Sequence, residues 1–168
     1  LYMPKYNIVA KDDKHPLYIQ ITKEKFSRVI TVRKIDLRKG LSLSSYGPFP
    51  SSGNVRAVLK MIRRIFPYSD HKLGKRPCLY SHIGLCNPCP NEIIKTKDVK
   101  LRTDMEKMYQ KNINNIKHVL SGKIKSVQKK LTKEMENASN NQDYETASEI
   151  RDQIGKIEYI TRQQIQTE

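Results

Sequence analysis

The period of the hydrophobic positions changes along this chain. In Tyr18-Ile19-Gln20-Ile21-Thr22, and again in Phe26-Ser27-Arg28-Val29-Ile30-Thr31-Val32, β-branched and aromatic residues alternate with polar ones. Alternation at period two is the mark of strands that bury one face, so the two runs predict a hairpin closed around Lys23-Glu24-Lys25. Residues 1–16 are polar and basic and are punctuated by Pro4 and Pro16, which predicts an extended lead-in rather than a helix. Gly40 to Ser45 reads as a loop, and the glycines and prolines of Tyr46 to Gly53 as a turn-rich bridge.

From Asn54 the period becomes helical. Val55, Val58, Leu59, Ile62, Ile65 and Phe66 recur at steps of three and four, with Ser51 or Ser52 placed to cap the start and Pro67 to stop it. The opposite face carries Arg56, Lys60, Arg63 and Arg64, a basic stripe suited to phosphate contacts, although a solvated helix face has the same pattern. A polar linker is predicted over Asn91 to Arg102. Beyond it Met105, Met108, Tyr109, Ile113, Ile116 and Leu120 mark a second helix that ends near Ser121-Gly122. A third runs from Lys123 to Ser139, and Asp143 is the N-cap of a fourth that carries Tyr144, Ala147, Ile150, Ile154, Ile157 and Ile160. A short polar turn between these last two helices folds them into an antiparallel hairpin over about 123–165. Its narrow apolar seam must be completed by self-pairing, by a hairpin on another protein, or by the rest of this chain.

The expected class is therefore α+β. At 168 residues, with 37% hydrophobic residues and no tryptophan, two small modules fit better than one deep core. The net charge of +15 is uneven: residues 1–77 hold 17 Lys and Arg against 5 Asp and Glu, whereas residues 78–168 hold 15 against 12. A basic first half attracts polyanions by counterion release, which makes nucleic acid the leading partner. No apolar run is long enough to span a membrane and no signal-peptide pattern opens the chain, so no membrane partner and a cytoplasmic location are expected. The first residue is Leu1, from which a processed start or a piece of a longer protein is expected.

All three cysteines fall between Cys78 and Cys89. An odd count in a reducing compartment argues for metal ligation or inert thiols over a disulfide framework, and Cys86-x-x-Cys89 brings two sulfurs within reach of one ion. Catalytic arrangements are not evident. Asp12 and Asp13 are neighbours on an extended segment and point to opposite sides, and no histidine has a serine or cysteine partner at a catalytic spacing.

Taken in order, several separate motifs coincide: Pro4-Lys5-Tyr6-Asn7, Lys11-Asp12-Asp13-Lys14, Tyr46-Gly47-Pro48-Phe49-Pro50, Phe66-Pro67, Arg76-Pro77-Cys78-Leu79, Ile83-Gly84 and Cys86 to Cys89. On these the chain resembles UvrC, the incision subunit of the bacterial UvrABC nucleotide excision repair nuclease. The resemblance implies that residues 1–50 are the end of a GIY-YIG nuclease domain, 51–102 a basic helix with a Cys-rich linker, and 103–168 a helical region ending in a UVR hairpin. Asn7 would be the last residue of the GIY-YIG motif set. The catalytic tyrosine, arginine and glutamate of that domain cannot be placed in this sequence, so the resemblance implies no cleavage by this chain alone.

It also implies docking on UvrB through the hairpin, with Tyr144, Ala147, Ile150 and Ile154 as the seam and Glu145, Arg151 and Asp152 as its rim. DNA would be bound without sequence specificity, through Arg56, Lys60, Arg63 and Arg64. The family's cysteine segment is associated with an iron-sulfur cluster held by four cysteines, and here the first of those positions falls on His71. A set of His71, Cys78, Cys86 and Cys89 also suits tetrahedral zinc, so the choice between cluster and zinc stays open, with His82 as a reserve ligand. A non-enzymatic zinc and UVR-motif adaptor is the alternative reading.

Overall fold

A computed structural model describes residues 16–36, 40–49 and 52–165. The lead-in up to His15, with Asn7, Asp12 and Asp13, lies outside the described residues. Strands β1 (Leu17–Thr22), β2 (Val29–Arg33) and β3 (Ser42–Phe49) form an antiparallel sheet in the order β2-β1-β3. Ile19 and Ile21, opposite Thr31 and Val29 of β2, are fully buried.

The expected hairpin is present, with two differences. The second strand begins at Val29 instead of Phe26, because Phe26 leaves the ladder and meets the Tyr109 ring edge-on, with centroids 5.9 Å apart. The predicted loop and bridge over 40–53 is largely a third strand, β3, which pairs with β1 through Tyr46 opposite Ile19 and Ser44 opposite Ile21. Glycine and proline in a strand suggested a turn, yet an edge strand tolerates both where the ladder is irregular. Gly47 sits at such a shift with φ of +139°, and a Cβ there would lie 3.0 Å from the Leu17 carbonyl oxygen, so this close approach requires glycine.

Among the described residues six α-helices follow: α1 (Ser52–Ile65), α2 (Leu79–His82), α3 (Pro90–Lys95), α4 (Val99–Leu120), α5 (Ile124–Asn140) and α6 (Tyr144–Ile165). The linker expected over 91–102 is instead α3 and the start of α4. Pro90 opens α3 where a missing N–H costs nothing, and Asp98 caps α4 by accepting from the N–H groups of Lys100 and Leu101 at 2.9 and 3.1 Å. Asp143 caps α6 as expected, its Oδ1 accepting from Thr146 N–H at 3.2 Å. None of the described helices is long and apolar enough to cross a membrane.

A single core joins the sheet to every long helix. Ile19 and Ile21, Val55, Ile62, Ile65 and Phe66 of the α1 region, Ile113 and Ile116 of α4, and Val127 and Leu131 of α5 belong to one cluster. Ile150 and Ile157 of α6 belong to it too, at 9% and 3% exposure. The hairpin seam is thus completed by this chain itself, and Gln153 ties α6 to α1 by donating to the Ile65 carbonyl at 3.1 Å. Tyr109 pins the centre: its hydroxyl donates to the Ser27 carbonyl at 2.7 Å and accepts from Ser69 N–H at 3.3 Å.

Candidate metal centre

Beyond Phe66 the chain leaves α1 and wraps into a knuckle that is held by side-chain bonds rather than by regular structure. Asn91, buried at the start of α3, accepts from Gly74 N–H at 2.8 Å and donates to the Arg76 carbonyl, which fixes the loop between His71 and Cys78. Asn112 of α4 donates to the carbonyls of Pro67 and Asn87, at 3.1 and 3.3 Å, and so clamps both ends of the knuckle to the helical body.

These contacts bring His71, Cys78, Cys86 and Cys89 together, with one ligand atom from each and all four atoms within 4.8 Å of one another. His71 Nε2 is 3.9 Å from Cys86 Sγ and 3.7 Å from Cys89 Sγ, and the Cys89 and Cys78 sulfurs are 3.9 Å apart. Sulfurs bonded at about 2.3 Å around one tetrahedral ion stand about 3.8 Å from each other, so the spacing matches a single ion. His71 Nδ1 lies 2.8 Å from the Lys72 carbonyl oxygen, an acceptor, so the ring proton belongs on Nδ1 and the Nε2 lone pair faces the sulfurs. His82 is exposed and is not part of the set.

The electrostatics of the cluster favour a cation. Burial pushes the Cys86 thiol far above its ordinary value, and the neighbouring Cys89 and Cys78 sulfurs push it further, so three thiolates in this space require a positive charge to balance them. With four protein ligands such a site is closed, the form that stabilises a fold rather than the form that activates water.

Arg63 stands beside the knuckle and not on the solvent face of α1. Its guanidinium lies 4.2 Å from the centre of the Tyr68 ring and 4.0 Å from that of Tyr80, and Nη2 donates to Asp70 Oδ2 at 2.7 Å. Asp70 precedes the candidate ligand His71 and Tyr80 follows the candidate ligand Cys78 by two positions, so two of the three partners of Arg63 lie beside the candidate set. At 7% exposure Arg63 is taken up by these partners and stands apart from the exposed Arg56, Lys60 and Arg64. Arg63→Lys is expected to cost roughly 1–3 kcal/mol of stability in urea titration, because an ammonium keeps the charge but loses the planar stacking.

Two family matches cover these elements. Residues 16–98, which hold the sheet, α1 and all four candidate ligands, match the family described as UvrC/Cho excinuclease, middle domain, and residues 125–160, the α5–α6 hairpin, match the UvrB/uvrC motif. Among similar curated proteins, the UvrABC system protein C of Clostridium beijerinckii is 39% identical over 97% of this chain and 25% of its own length. Those of Mycoplasma capricolum and Caldanaerobacter subterraneus are 36% and 37% identical, again over 97% of this chain and 26% of their own length. The chain belongs to the UvrC family. It spans about a quarter of the length of the curated relatives it matches. No solved structure matches it.

Within this UvrC-family chain the hairpin residues separate into two groups. Ile150 is buried and Ala147 and Ile154 are half-buried, whereas Glu145, Arg151 and Asp152 are exposed and Tyr144 is 67% exposed at the hairpin tip. Tyr144, Ala147, Ser148 and Arg151 line a shallow cleft with Met135 and Ser139 of α5. Sequence periodicity did not separate the two groups, since one apolar stripe supplies both the buried and the open positions. The roles of Arg63, Asn91 and Asn112 were also missed, because the partners of each are remote in sequence or lie outside the periodic elements.

Proposed function

We propose that this chain is the part of a UvrC-type subunit of nucleotide excision repair that holds DNA and meets UvrB, with a structural zinc ion joining the two tasks. The supporting observation is the coexistence, in one folded body, of a UvrC middle-domain match, a UvrB/uvrC motif and a closed three-cysteine, one-histidine set. The relatives' name, UvrABC system protein C, points the same way.

In this reading zinc is held by Cys78, Cys86, Cys89 and His71, and supplies the charge that balances buried thiolates. Arg56, Lys60 and Arg64 contact phosphates, with Arg63 kept as an internal strut. No cleavage chemistry is assigned to these residues, since among the described residues the one His, Cys, Asp or Glu group close enough to hold an ion has every ligand position filled by protein. UvrB docks at the open end of the hairpin around Tyr144, Ala147 and Arg151, because the inner seam is occupied by α5 and α1.

DNA titration by fluorescence anisotropy at several salt concentrations tests the phosphate assignment. Arg56→Ala, Lys60→Ala and Arg64→Ala are each expected to weaken binding to unrelated sequences alike and to lower the salt slope by about 1. An unchanged slope in the triple variant contradicts it.

A further inference from the structure

The outer surface of the knuckle presents apolar side chains to solvent. Leu79 and Ile83 are 77% and 61% exposed, and Tyr80 between them is 40% exposed. Leu79 begins α2 and Ile83 is its C-cap, so the two side chains, four residues apart, lie on one side of that turn. Neither belongs to the core cluster, and polar residues would serve the fold equally well at both positions.

The segment that carries this apolar patch is basic in sequence. From His71 to Asn91 the sequence contains Lys72, Lys75 and Arg76 and no Asp or Glu. All three cations are exposed, and Lys75 and Arg76 form no ion pair among the described residues. The carboxylates at either end of the segment are both partnered, Asp70 with Arg63 and Glu92 as acceptor from Ser81 Oγ at 2.8 Å.

We infer that Leu79, Tyr80 and Ile83, with the exposed Lys75 and Arg76 a few residues before them in the chain, form a DNA wedge that engages bases exposed where the duplex is unstacked. The inference rests on the proposed DNA binding of this chain and adds a second contact of different chemistry from the α1 stripe. Cations alone would suit any phosphate backbone. Bare aliphatic groups gain contact only where base faces have lost their stacking partners, as at distorted or locally unpaired steps, and apolar side chains inserted between bases are an established way of holding such DNA. An aromatic ring beside them adds a stacking surface that tolerates any base. The wedge is braced from behind: the Arg63 guanidinium backs the Tyr80 ring at 4.0 Å, Ser81 is bonded to Glu92, and Cys78 anchors the start of α2 to the metal set.

The test compares a fully paired duplex with one of the same length carrying a short central bubble, with 2-aminopurine at the bubble edge. The full chain is used in its metal-loaded form, as wild type, as L79S/I83S and as R56A/K60A. Wild type is expected to prefer the bubble by about tenfold and to change the 2-aminopurine emission, and L79S/I83S to lose both while keeping its duplex affinity and zinc content. Retention of the bubble preference by L79S/I83S overturns the wedge. Where R56A/K60A still weakens duplex binding in that case, the DNA reading stands and the wedge alone falls. A wild type that binds neither DNA at low salt removes the DNA reading itself. Loss of binding to a UvrB C-terminal hairpin by L79S/I83S, with bubble preference intact, makes the patch a protein-docking surface and likewise overturns the wedge.

Discussion

Replacing Cys89 with serine is expected to remove the bound metal and to lower the melting temperature by roughly 10 °C or more. Cys89 is fully buried, and its sulfur is the member of the set that lies against both His71 and Cys78, at 3.7 and 3.9 Å. A serine hydroxyl is a poor ligand for zinc, and the two remaining sulfurs with one imidazole leave the ion short of a closed shell. The effect should spread beyond the knuckle, because residues next to the ligands hold Arg63, and Asn112 ties Asn87 to α4. Zinc analysis and thermal melting, each with and without chelator, check this. Chelator should bring the parent down towards the variant and leave the variant unmoved. A variant that melts with the parent, and a parent indifferent to chelator, would show that the three thiols hold no metal.

Ile150→Asp and Tyr144→Ala should behave in opposite ways. Ile150 is 9% exposed and sits in the same core cluster as Ile65, Leu131 and Ile157, so a carboxylate there is buried without a partner. The expected cost is on the order of 3–5 kcal/mol, with α6 released from α1. Loss of UvrB binding by that variant would therefore report the fold and not the interface. Tyr144 is 67% exposed and makes no core contact, so its truncation should change stability by no more than about 0.5 kcal/mol. If the open tip is the docking surface, Tyr144→Ala together with Arg151→Ala should weaken capture of a UvrB hairpin about tenfold or more. Chemical denaturation separates the two effects, and undiminished capture by the stable tip variant would refute the assignment.

Much of this architecture was legible in residue patterns because its cause is local. The period of three and four in α1, α4, α5 and α6 needs only the next turn of helix, and the Asp143 cap needs only Thr146. What stayed hidden depends on partners far away. Strand β3 exists because β1 offers it a ladder, and Gly47 and Pro48, which read as a turn, are tolerated at that irregular edge. Arg63 read as one more cation of a stripe, since nothing nearby in sequence reveals that Tyr68 and Tyr80 would close over it. His71, Cys78, Cys86 and Cys89 could be singled out from sequence, but their convergence to within 4.8 Å could not, because it depends on the fold of the knuckle.

That convergence also sets the most direct test of the account, which is X-ray absorption on the purified protein together with its metal content. One zinc per chain, with three sulfurs at about 2.3 Å and one nitrogen at about 2.0–2.1 Å, is the expected result. Iron with inorganic sulfide, or a stably folded protein with no metal at all, would contradict it.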